Sequence, residues 1–191
     1  MKGRTHVKIT VAGTGIVGRT IAAAFASKGH DVTVGTRDVD VLMARTDADA
    51  MGNPPFAQWK ADHHAIEVAA LSDALPQGEL VVNATAGHAS KEALSAARAD
   101  ALAGTIVMDA SNPIAPDSGW PPSLFAANTD SLGEQLQAAF PDARFVKVWN
   151  TMTAAIMCNP EAVAGGDQTI PLCGNDADAK AEVTALLQGF G

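Results

Sequence analysis

A doubly wound α/β fold with a parallel sheet is what this sequence predicts, and three observations carry the prediction. Short β-branched runs alternate with helical stretches almost from end to end. The first run, Val7 to Val11, leads straight into a turn holding Gly13, Gly15 and Gly18, and a helical stretch follows. The composition is 47% hydrophobic and 18% charged with 17 glycines, and small residues let helices lie close on a sheet. In such a fold, ligands sit in the crevice beyond the carboxyl ends of the strands. At 191 residues the expected organisation is a single domain over 1–191.

Each element has its own signal. Ile16 to Lys28 reads as a helix with Ile16, Ile21, Ala24 and Phe25 on one side and Gly29 as its stop. Asp31 to Val34 reads as the second strand and Asp38 to Arg45 as the second helix. From Met51 to Asp62 the periodicity fails around Pro54 and Pro55, which predicts a loop. His64 to Val68 and Glu79 to Asn83 follow as strands, then alanine-rich Lys91 to Leu102 as a helix and Thr105 to Asp109 as a strand. A proline-rich loop runs from Asn112 to Asn128. Asp130 to Phe140 reads as a helix capped by Thr129 or Asp130. Arg144 to Trp149 and Gln168 to Cys173 complete the strands, and Ala177 to Gln188 closes the pattern as a helix.

Charge and composition remove several functions. A net charge of −8 argues against general nucleic-acid binding, which needs a basic face. The N-terminus runs into strand and turn without a signal-peptide core, and no apolar run approaches the roughly 20 residues of a membrane helix. Cys158 and Cys173 lack any metal or disulfide spacing, which fits a reduced, cytoplasmic setting. His63 and His64 beside Asp62 have no further ligand at metal spacing, so no metal site is expected.

The glycine turn points to a dinucleotide. Gly13 permits the tight turn, Gly15 lets backbone amides approach a pyrophosphate, and Gly18 lets the helix pack on the sheet. A ligand-free strand-helix connection would use the same residues. After the second strand, NAD-selective proteins carry an acid that bonds the ribose hydroxyls and would repel a 2′-phosphate. Here Gly35 leaves room, Thr36 supplies a hydroxyl and Arg37 a guanidinium, which favours NADP(H). Otherwise Arg37 is a solvated charge and Asp38 only caps the next helix. Arg19, next to Gly18, either helps Arg37 with the phosphate or, as the preferred reading, is an exposed residue of the helix face.

Three strand ends carry asparagines: Asn83-Ala84-Thr85, Ser111-Asn112-Pro113 and Asn150-Thr151. Their amides suit a ribose, a carboxamide or a ring edge, or else each organises its own turn. Acid–base candidates are few and no catalytic residue is assigned; His88 lies near the crevice, Asp109 reads as structural, and tyrosine is absent. Trp120, Pro121, Pro122 and Phe125 either wall a second ring or pin their loop to the surface.

The segments "GTGIVGRTIAAAFASKGHDVTVGTRD", "ELVVNAT", "MDASNP", "TDSLGEQLQAAFPDARFVKVWNTM" and "PLCGNDADAKAEVTALL" together resemble the F420-dependent NADP oxidoreductase family, a group with the Rossmann NAD(P)-binding fold. The resemblance implies hydride transfer between NADPH and the deazaflavin coenzyme F420. It implies that Thr14, Gly15, Ile16 and Val17 meet the diphosphate and nicotinamide side, that Thr36 and Arg37 take the 2′-phosphate, and that Asn83, Ala84, Thr85 and Ala86 line the cofactor. Asn112, Pro113, Asn150 and Thr151 would border the reacting rings. It also implies a homodimer and C-terminal closing elements beyond those seen here. Two other readings stay open at this stage: a reductase of imines or carbonyls, and a non-catalytic NADP(H)-sensing module.

Overall fold

A computed structural model describes residues 6–49, 52–98, 100–167 and 169–190. Met51 and Gln168, where an expected loop and an expected strand begin, lie outside the described residues. The chain opens with β1 (Lys8–Ala12), whose last four residues are all buried. That is the mark of a central parallel strand covered on both faces. Next come α1 (Ile16–Ser27), β2 (Asp31–Thr36) and α2 (Val39–Met43). The stretch expected as a loop instead contains α3 (Phe56–Asp62). Pro55 stands just ahead of its first turn, where no backbone N–H is needed, so the prolines start this helix rather than preventing one.

β3 (Glu67–Ala70) leads directly into α4 (Leu71–Ala74), a short helix with no sequence signal, and then β4 (Leu80–Asn83). α5 (Gly87–Leu94) begins and ends earlier than the alanine pattern predicts, before β5 (Ile106–Asp109). α6 (Leu132–Ala139) is capped by Ser131, not by Thr129 or Asp130: its hydroxyl accepts from Glu134 N at 3.2 Å and donates to the Glu134 carboxylate at 2.7 Å. The spacing is that of a capping box, with the Glu134 carboxylate accepting from the Ser131 hydroxyl. β6 (Arg144–Val148), α7 (Ala154–Met157), β7 (Leu172–Cys173) and α8 (Ala177–Leu187) complete the chain.

The sheet order is β3-β2-β1-β4-β5-β6-β7. β1 to β6 are parallel, whereas β7 runs antiparallel to β6 as a two-residue edge, a departure from the all-parallel expectation. Strand order reverses between β1 and β4, and that switch point opens the ligand crevice. One apolar layer, with Val11, Ile21, Phe25, Val82, Met108 and Val146, lies on the α1 and α8 face. The other, with Leu71, Val81, Val107, Leu132, Leu136 and Phe145, lies on the α4 to α6 face. At the far edge, the Arg144 guanidinium bonds Asp176 at 2.6 Å and holds that carboxyl down at about 2. Asp176 in turn caps α8 by accepting from Ala179 N.

Candidate functional site

The strand register lines up one row across the crevice floor: Gly35, Ala12, Asn83, Asp109 and Lys147 are successive neighbours. Directly beyond Ala12 comes the glycine turn. Gly13 has φ +131°, and a Cβ there would lie 2.4 Å from the Ala84 carbonyl oxygen. A Cβ on Gly18 would lie 2.1 Å from the Gly13 oxygen, so α1 rests directly on the turn. At Gly15, by contrast, a Cβ would meet nothing within 4 Å. Gly15 is the N-cap residue of α1, and no side chain caps the helix. A helix start with no side-chain cap and open space beside its N-cap residue can accept an anion such as a diphosphate. Thr14 and Val17 are half-buried beside it, and Ile16 is exposed.

At the end of β2, Arg37 is exposed and makes no ion pair or side-chain hydrogen bond among the described residues. Thr36 donates only a long bond, 3.4 Å, to the Asp38 carbonyl. Asp38 itself caps α2, accepting from Val41 N at 2.9 Å. The room at Gly35 is not left for a ligand: a Cβ there would lie 2.7 Å from Leu71 Cδ2, so this glycine admits α4.

Asn83 is fully buried and its amide is committed inside the protein. Its Nδ2 donates to Asp109 at 2.8 Å, and its Oδ1 accepts from the Thr85 hydroxyl at 2.6 Å. Asp109, 1% exposed, also accepts from Ser111 N and Ser111 Oγ and pairs with Lys147 at 2.8 Å. Lys147 donates in addition to the Ser111 carbonyl. Five side chains, Asn83, Thr85, Asp109, Ser111 and Lys147, thereby fix the turns after β4 and β5; Ala84 and Thr85 are half-buried and Ala86 is exposed. Asn112 donates to the Asn150 carbonyl at 2.7 Å, which joins the β5 and β6 turns. The chain enters Asn150 through Trp149, which is fully buried at φ +63°. A left-handed tryptophan is costly, roughly 1–3 kcal/mol, and such strain is typically found at ligand sites. Thr151 is exposed next to it.

Asn112, Pro113, Lys147 and Asn150 also line a groove of about 1060 Å³ that runs along β6 toward α6 and the loop before α8. The loop from Pro113 rises as a small hairpin, with Phe125 N donating to the Pro113 carbonyl and Ala115 N to the Ser123 carbonyl, both at 2.9 Å. Trp120, 93% exposed, pins nothing, whereas Phe125, 41% exposed, is more than half covered. His88 sits exposed on α5. His63 stacks on Trp59 with ring centroids 4.4 Å apart. Burial pushes the Cys158 thiol up to about 12.

Arg19 corrects the sequence reading. It is 7% exposed, not a surface residue. Its Nε donates to the Thr14 carbonyl at 2.8 Å, its Nη1 to the Pro54 carbonyl at 2.6 Å, and its guanidinium lies over the Phe56 ring at 5.3 Å. The signal was its place on the α1 stripe with Ala22, one turn away.

Fold order and cradle together define a dinucleotide-binding protein of the Rossmann class. The family described as NADP oxidoreductase, coenzyme F420-dependent, matches residues 8–113. A crystal structure from Arthrobacter sp. FB24, whose name proposes an F420-dependent NADP-reductase, is 50% identical, with 97% of this chain and 81% of that one covered and a TM-score of 0.90. The chain therefore belongs to the coenzyme F420-dependent NADP oxidoreductase family, a group of NADP-dependent oxidoreductases. A hypothetical protein of Sinorhizobium meliloti, SMa0349, shares the fold at 21% identity, covering 97% of this chain and 82% of that one, with a TM-score of 0.75. So does a reductive aminase of Aspergillus terreus, solved with NADPH and ethyl-5-oxohexanoate, at 20% identity, 97% and 53% coverage and a TM-score of 0.62. No curated protein matches the chain. No helix among the described residues is long and apolar enough to cross a membrane.

Proposed function

We propose that this chain transfers hydride between NADP(H) and a flat conjugated acceptor, with the deazaflavin F420 as the first candidate. The observation that carries the reading is an open cradle at Gly15 followed by an unpaired Arg37 where an NAD-selective protein would place an acid. When bound, NADPH supplies the hydride. The amides of Gly15, Ile16 and Val17 hold the diphosphate, with Gly13, Thr14 and Gly18 shaping the turn. Thr36 and Arg37 hold the 2′-phosphate, and Ala84, Thr85 and Ala86 border the ribose beside it. Asn112, Pro113, Asn150 and Thr151 orient the rings, while Asn83 acts through Asp109. Such chemistry needs distance, orientation and exclusion of water more than a protein acid.

One observation favours imine or carbonyl reduction as a second reading. Asp130, Glu134 and Asp142 line the groove beside Asn112 and Asn150, while its cations, Arg144 and Lys147, are already paired with Asp176 and Asp109. An acidic wall of this kind suits a cationic iminium better than an anionic coenzyme tail. The test is NADPH oxidation followed by absorbance, with F420 and with a cyclic imine offered separately. Turnover with F420 alone supports the first reading and turnover with the imine alone the second. Oxidation of NADPH with neither removes both.

A further inference from the structure

We infer that Arg19 is a cofactor-positioning residue: its buried guanidinium, set between the glycine turn and the Pro54–Phe56 segment, answers the charge of a diphosphate at the start of α1 and ties that segment to the bound dinucleotide. The inference rests on the cofactor reading above and extends it to a residue outside the glycine motif. A guanidinium withdrawn from water is normally matched by a carboxylate. Arg19 is matched by two neutral carbonyls, Thr14 and Pro54, and by the face of Phe56. Among the described residues it forms no ion pair with a carboxylate, and the field of Asp49 favours its charge. Burial accordingly pulls the Arg19 pKa down from its ordinary value.

Its place explains why the charge is worth keeping. Arg19 N donates to the Gly15 carbonyl at 3.0 Å, so the residue belongs to the first turn of α1, and its side chain folds back onto Thr14 in the middle of the glycine turn. The positive charge thus stands beside the open, uncapped cradle at Gly15. An anion there would complete the charge balance that the protein leaves unfinished. The second hydrogen bond carries the effect outward, because Pro54 immediately precedes the cap of α3.

A structural clamp and a charge partner make different predictions. Calorimetric titration of the purified chain uses three probes: NADPH, NADH and adenosine 2′-monophosphate, which has no diphosphate. Arg19→Met should weaken NADPH and NADH together by about tenfold or more, and adenosine 2′-monophosphate by no more than about twofold. Arg19→Gln, which keeps a donor for Thr14 without the charge, should behave like Met and serves if Met fails to fold. Arg19→Lys should restore most of the dinucleotide affinity. Equal weakening of all three probes would show a clamp only and overturn the inference, as would a Gln variant that binds NADPH like the unaltered chain. If the unaltered chain binds adenosine 2′-monophosphate but not NADPH, the diphosphate cradle itself is wrong and the inference falls with it.

Discussion

At the scale of single residues, the glycines of one motif divide into separate duties that a substitution can tell apart. Gly18 is packed against the Gly13 carbonyl, so Gly18→Val should fail to fold or melt far below the parent. Gly15 faces open space, so Gly15→Val should keep its melting temperature and lose NADPH binding, because its methyls occupy the cradle. A Gly15→Val protein that titrates NADPH normally would remove the turn from the site. The glycine spacing was legible in the sequence; the partners of individual side chains were not. Gly35 reads as space for a phosphate, yet Leu71, 35 or so residues onward and 3% exposed, fills it. Arg19 reads as a surface charge because its partners, Thr14 and Pro54, are backbone carbonyls, which leave no mark in a sequence.

At the scale of elements, what holds the site is the row Asn83, Asp109 and Lys147, each from a different strand. Removing one member of a buried ion pair leaves the other charge uncompensated. Lys147→Met should therefore cost about 3 kcal/mol, seen as a lowered denaturation midpoint with the same slope. An unchanged midpoint would mean that the pair contributes nothing to the strand ends. Strands β1, β2, β4, β5 and β6 were legible because each is a short β-branched run buried on both faces. α3 was hidden by its prolines and α5 was displaced by the alanines that follow it. The cap of α6 was written in the sequence as Ser131-Leu132-Gly133-Glu134, a capping box that composition alone does not weigh. The antiparallel turn of β7 depends on the path through α7, which has too few residues to show a period.

At the scale of the whole molecule, the switch between β1 and β4 gathers the first turn of α1, the end of β2 and the asparagine turns of β5 and β6 at one edge of the sheet. The acid that would select NAD is missing there, and the residue in its place, Arg37, is held by no other described side chain. The reading therefore turns on selectivity for the 2′-phosphate. The measurement that tests it most directly is a paired titration of NADPH and NADH against the unaltered chain and Arg37→Ala. The unaltered chain should bind NADPH more tightly than NADH, and the variant should lose about 1.5–3 kcal/mol for NADPH alone. Equal affinities for the two cofactors, or equal losses in the variant, would contradict the reading.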